Sequence, residues 1–221
     1  MNKIAVFGAS GRTGKIFTEL ALNNGYAVKA LVRDHSKLDL RHSNLEVIHG
    51  DIADTIKAEE TVKATEAVIN LFDPSKGSPP NLLLAAERNI LSAMQQNNVE
   101  RLIIVDSVPV GLVAGILEPN DQPRFMNKWF INKFTIFIGR NLLGGLLEAG
   151  PAHVDLIKQS PLRWTIVRAP TLSDQPSKGN YRVGYLDANT GKFASRSDVA
   201  TFLLDVLMNG KYIRQMPIIS S

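Results

Sequence analysis

Ile4-Ala5-Val6-Phe7-Gly8-Ala9-Ser10-Gly11-Arg12-Thr13-Gly14-Lys15 is the stretch that decides the fold. Four apolar residues of strand length run straight into three glycines with the spacing GxxGxxG, and a helical pattern follows over 15–22. Glycine at such a turn admits backbone conformations closed to other residues, lets the chain approach a pyrophosphate and lets helix and strand pack closely. The helix N-terminus then faces the negative charge. A glycine triplet alone is weak, but in this strand–turn–helix setting it reads as a dinucleotide-binding turn. A glycine-rich turn with no ligand is the competing reading.

Outward from the turn, apolar runs alternate with helical patterns: 27–32, then a short connection; 45–48, then 55–62; 67–71, then 82–96; and a fifth run at 102–105. The runs are continuously apolar, as strands buried on both faces are, and the helices supply the crossovers of a parallel sheet. The expected fold class is α/β, a doubly wound parallel sheet in three α/β/α layers. From Ser107 to Gly150 the rhythm gives way to a segment rich in Gly, Pro, Asn and aromatics, an insertion of functional length. A helix over about 152–159 and a strand at 164–167 come next. The last helix is expected to start at Ser197 as its cap, with Asp198 in the first turn, and to stop at Asn209-Gly210 after Met208.

At 221 residues, 44% of them hydrophobic and 21% charged, the chain is expected to fold as one domain over 1–221. The net charge of +4 is spread without a basic stripe, which argues against nucleic acid as a partner. With no cysteine, disulfides, thiolate metal sites and cysteine nucleophiles are excluded. His35, His42, His49 and His153 show no ligand spacing, so no metal is expected, and neither a GxSxG elbow nor a P-loop lysine motif is present. The apolar start is too short for a signal peptide, which makes the cytoplasm the expected location. Residues 129–150 are apolar enough to suggest a membrane, but Lys133, Arg140 and Glu148 interrupt them. A lid, a buried helix, or a contact with a second copy or a protein partner is expected there instead of a membrane span.

The residue at the end of the second strand stands beside the adenosine ribose in such folds, and here it is Arg33. An acid would hold both ribose hydroxyls, whereas an arginine pairs with a 2′-phosphate, so NADP(H) is expected over NAD(H). Arg12 and Lys37 are candidates for added charge at that phosphate, and Asp34 dissents unless it caps the turn after it. Asp51, after the third strand, is placed to accept from the adenine amino group while Ile52 packs on the ring, and Asp54 is the better cap for the next helix.

Six segments together resemble the atypical short-chain dehydrogenase/reductase superfamily, in particular its NmrA-like branch and the flavin reductase and biliverdin-IXβ reductase group. They are IAVFGASGRTGK (4–15), ALVRDHSKL (30–38), EVIHGDI (46–52), AERNILSAMQQNNVERLIIVDS (86–107), SPLRWTIVRAPTL (160–172) and SRSDVATFLLDVL (195–207). The resemblance implies a Rossmann fold with cofactor contacts from Gly8, Ser10, Gly11, Arg12, Thr13, Gly14, Arg33, Asp51, Ile52, Asn70, Leu71 and Phe72. It makes Ser107 the nearest match to the family's active-site serine, a hydroxyl for a substrate carbonyl or the carboxamide; otherwise Ser107 merely ends a strand. It implies an NADPH-dependent oxidoreductase acting on a small conjugated substrate such as a flavin, quinone or tetrapyrrole.

The chain departs from the typical mechanism, because none of Tyr26, Tyr181, Tyr185 and Tyr212 has a lysine four residues on to lower its pKa. That departure keeps a second function open: a non-catalytic NADP(H) sensor or assembly protein of the NmrA-like type. His153, with Asp155 beside it, is a candidate proton donor, although a histidine at the start of a helix facing water fits the same pattern. Arg124, Lys128 and Lys133 are candidates for clamping an anionic substrate.

Overall fold

The computed structural model describes residues 2–74, 77–79, 81–107, 146–177, 179–187 and 189–221, with the backbone alone for 107 and 146–151. Most of the expected insertion, with Arg124, Lys128 and Lys133 and the 129–145 part of the expected partner contact, lies outside those residues.

The chain alternates strand and helix: β1 (Lys3–Phe7), α1 (Arg12–Asn23), β2 (Ala27–Val32), β3 (Leu45–His49), α2 (Thr55–Val62), β4 (Ala67–Asn70), α3 (Leu82–Gln96) and β5 (Arg101–Ser107). After the insertion come α4 (Leu146–Gln159), β6 (Arg163–Ala169), β7 (Thr171–Ser173), β8 (Arg182–Gly184), β9 (Phe193–Ser195), α5 (Arg196–Met208) and β10 (Ile218–Ser220). The main sheet has eight strands in the order β3-β2-β1-β4-β5-β6-β10-β8. Every pair is parallel except β10 with β8, and β7 pairs with β9 in a separate two-stranded ribbon.

Side chains along a strand alternate between faces, and β1 divides accordingly. Ile4 and Val6 join Phe17 and Ala21 of α1 and Val199, Phe202 and Leu203 of α5 in one core. Ala5 and Phe7 join Val62 of α2, Ile90 and Met94 of α3 and Val154 and Ile157 of α4 in the other. Helices therefore cover both faces, as a parallel sheet requires. One polar residue breaks the apolar run of β2: buried Lys29 donates to the carbonyl oxygens of Glu60 and Lys63 at the end of α2, where the helix dipole favours a cation. No helix among the described residues is long and apolar enough to cross a membrane.

Asp54 caps α2, accepting from the N–H groups of Ile56 at 2.9 Å and Lys57 at 3.2 Å. Two sequence expectations need correction. The last helix is capped by Ser195, two residues before the expected Ser197, and the Ser195 hydroxyl accepts from the Asp198 N–H at 3.0 Å. The helix expected from about 152 begins at Leu146, so Gly150-Pro151 lies inside it and does not precede it.

Candidate functional site

In this strand order β1 has β2 on one side and β4 on the other, so the crossovers leave it in opposite directions and open a crevice at the carboxyl ends of the strands. A cleft of about 850 Å³ lies there. Its walls are the glycine turn, the ends of β2 to β5, the segment from Ala169 to Leu172, and His153 and Arg196 from two helices.

Two of the three glycines are fixed by backbone sterics. Gly8 has φ +78°, and a Cβ there would stand 2.5 Å from the Leu71 carbonyl; at Gly14 it would stand 2.0 Å from the Gly8 oxygen. Gly11 is less constrained by the protein, with 3.2 Å to the same oxygen. It occupies the cap position of α1, where no side chain takes up the free N–H groups and the first turn holds no acid. An uncapped helix start lining a cleft is suited to a phosphate anion.

At the β2 end, Arg33 Nη1 lies 3.6 Å from Asp51 Oδ2, with both side chains largely exposed (69% and 43%). A pair so wet is held weakly, and each partner can be recruited by a ligand. Asp51 Oδ1 also accepts from the Ala53 N–H at 2.9 Å. Asp34 is occupied locally: its Oδ1 takes the N–H of Ser36 at 3.0 Å and its hydroxyl at 2.7 Å, and these bonds hold the carboxyl below its ordinary range. The acid that would oppose a 2′-phosphate thus caps the turn His35–Lys37, with Lys37 Nζ 3.9 Å away. Arg12 does not reach toward Arg33. Its Nη1 lies 2.9 Å from Asp174 Oδ2, and Asp174 Oδ1 meets Arg196 Nη1 at 2.7 Å.

Asn70 is buried at the end of β4, where its Oδ1 accepts from the Phe72 N–H and its Nδ2 donates to Glu87 Oε2, both at 3.0 Å. Both side-chain groups are used inside the protein, where they hold the backbone at Phe72 and the Glu87 carboxyl. Ile52 and Phe72 line the cleft and also join the α2–α3 core.

On the far side, the register of β5 with β6 sets Ser107 opposite Ala169, next to the cleft-lining Val105 and Asp106. His153 is buried in the middle of α4 and lines the cleft, which overturns the alternative of a helix-start histidine facing water. Asp155 is exposed and does not join it. None of the four tyrosines, all among the described residues, lines the cleft. Tyr181 and Tyr212 flank Phe202 in the α1–α5 core, with ring centres 6.0 and 5.6 Å apart.

Sequence reasoning missed Glu87. This acid on α3 lines the cleft, is 1% exposed, and is pushed by burial up to about 8, against the pull of its Asn70 hydrogen bond. The signal was present: Leu83, Glu87, Ile90 and Met94 fall on one helical face at apolar spacing, and an acid on that stripe is out of place in a solvated helix.

The cradle of Gly8 and Gly14, the bare start of α1 and the arginine at the end of β2 together fit a phosphate-bearing dinucleotide. Known proteins agree. The chain is 28% identical over 221 residues to an uncharacterised chloroplastic protein of Arabidopsis thaliana, covering 93% of this chain and 72% of that one. It is 25% identical over 213 residues to the uncharacterised protein YwnB of Bacillus subtilis, covering 93% and 92%. Its fold matches a short-chain dehydrogenase/reductase of Veillonella parvula in complex with NADP, with a TM-score of 0.76 at 19% identity over 100% of this chain and 94% of that one. It also matches the oxidoreductase ylbE of Lactococcus lactis, with a TM-score of 0.77 at 17% identity over 99% and 90%. A sequence model of NAD(P)H-binding proteins matches residues 8–210, beginning at the first glycine of the cleft and running past α5; the chain belongs to this NAD(P)H-binding family, and NAD(P)H is its cofactor.

Proposed function

We propose that the chain is an NADPH-dependent reductase of a small, planar, conjugated molecule of the flavin, quinone or tetrapyrrole kind. The observation that carries this is the lining of the cleft, which includes Asp106, His153 and the Ala169–Leu172 wall as well as the glycine turn. The bound cofactor supplies a hydride. Gly8, Ser10, Gly11, Arg12, Thr13 and Gly14 hold its pyrophosphate, Arg33 pairs with the 2′-phosphate, and Asp51 and Ile52 take the adenine. Asn70, Leu71 and Phe72 form the floor beneath it. Ser107 orients the substrate, and His153 supplies a proton at a buried position where water is scarce.

The absence of tyrosine from the cleft favours substrates whose reduction needs little acid catalysis, and it equally supports a second reading, an NADP(H) sensor without turnover. The test is NADPH oxidation at 340 nm with FMN, menadione and biliverdin as acceptors. Acceptor-dependent oxidation, reduced by at least about tenfold in His153→Ala at unchanged NADPH affinity, is the expected result. Tight NADPH binding with no oxidation by any acceptor would replace the reductase by the sensor.

A further inference from the structure

Glu87 lies on the buried face of α3 in the wall of the cleft. Its two oxygens are treated unequally. Oε2 accepts from Asn70 Nδ2 at 3.0 Å, while Oε1 is buried and has no hydrogen-bond partner among the described residues. Leaving a buried polar atom unsatisfied is costly, and the bond is completed in the working protein by an ordered water, an ion or a ligand. Asn70 offers no such completion, because its other group is spent on the Phe72 N–H. The space that Glu87 borders is the cleft.

We propose that Glu87 is a cofactor-binding residue whose carboxylic acid donates a hydrogen bond from Oε1 to an oxygen of the bound dinucleotide. The inference rests on the family's NAD(P)H binding and is independent of turnover.

The donor must be the neutral acid, since a carboxylate beside a pyrophosphate would meet like charge and has no proton to give. Burial already keeps Glu87 protonated to about pH 8. The other ionisable groups of the cleft are Asp34 beyond β2, Asp51 beyond β3, Asp73 beyond β4, Asp106 on β5 and His153 on α4, with Arg12, Arg33, Lys37 and Arg196 also in its lining. Buried Ala58, Thr61 and Val62 are what α2 turns inward. None of these groups contributes to the displacement of Glu87, which comes from burial opposed by Asn70 alone. An entering polyanion favours the protonated form still further, so binding and protonation reinforce each other. By linkage, affinity is full well below pH 8 and falls as pH rises through that value and the carboxyl of the free protein ionises.

The experiment is calorimetric titration with NADPH from pH 7 to 9.5 on the wild-type protein, Glu87→Gln and Glu87→Met, with thermal unfolding as a folding control. Wild-type affinity is expected to fall about thirtyfold over that range, as for a single proton held at about pH 8. Glu87→Gln keeps a donor that does not titrate, so it should bind at pH 7 within about threefold of wild type and lose most of the pH dependence. Glu87→Met has no donor and should bind about five- to thirtyfold more weakly at pH 7. The proposal is overturned if Glu87→Gln keeps the wild-type pH slope, or if a folded Glu87→Met binds as tightly as wild type. Should Glu87→Met fail to fold, the Gln arm decides alone. Lack of acceptor reduction by any of these proteins would count against the reductase and leave these binding results standing.

Discussion

Arg33 and Asp51 face each other across 3.6 Å in the part of the cleft beyond β2 and β3, and both are exposed enough for water to weaken their attraction. A 2′-phosphate offers Arg33 more charge and a better set of acceptors than a single carboxylate does. Arg33→Ala should therefore weaken NADPH by about 10- to 100-fold, the range of a charge-assisted bond, and change NADH by less than about threefold; competitive titrations with both nucleotides measure it. Equal losses for the two would remove Arg33 from that role. At this scale the sequence was readable where chemistry and position coincide, as with the glycines and Arg33. It was unreadable where side-chain geometry decides. No spacing rule shows that Arg12 turns to Asp174, or that among the described residues one oxygen of Glu87 has a partner and the other has none.

Among the elements, α5 shows how a local signal can be displaced by a better one nearby. Ser195 and Ser197 both stand ahead of an apolar periodic run, but the residue whose hydroxyl meets the Asp198 N–H is Ser195, at the end of β9. Pairing of β9 with β7 fixes the chain in the extended conformation that a cap needs, and this non-local constraint is invisible in the serine itself. Ser195→Ala should cost about 1 kcal/mol of unfolding free energy and Ser197→Ala less than about 0.5 kcal/mol, as read from urea denaturation midpoints. The reverse order would restore the cap to Ser197. Long elements from β1 to α3 were legible because burial on both faces of a parallel sheet imposes continuous apolar runs. The three-residue strands β7 to β10 have no such run; the chain end at β10 is tied to the β9 region by side-chain bonds, Gly191 N–H to Ser220 Oγ and Ser195 N–H to Ser221 Oγ. Likewise, Gly150-Pro151 reads as punctuation, yet α4 runs through it.

For the molecule as a whole, the strand order places the cleft at the β1/β4 switch point and brings α3 and α4 to its wall, so one buried acid connects folding to ligand binding. Glu87 is raised from 4.5 to about 8 in the folded chain, which consequently holds more protons than the unfolded chain between those values. Its contribution to stability is complete below about pH 4.5, is lost as pH rises to about 8, and is constant above that. Melting temperatures of the cofactor-free protein should fall more steeply from pH 5 to 8 in wild type than in Glu87→Gln, and parallel curves would contradict a protonated Glu87. The central claim, that this cleft holds NADPH by its phosphates, is tested most directly by calorimetric titration of the wild-type protein with NADPH and with NADH at pH 7. The expected result is one NADPH per chain, bound at least about tenfold more tightly than NADH, as a charge pair with the 2′-phosphate requires. Binding of neither nucleotide, or a preference for NADH, would contradict it.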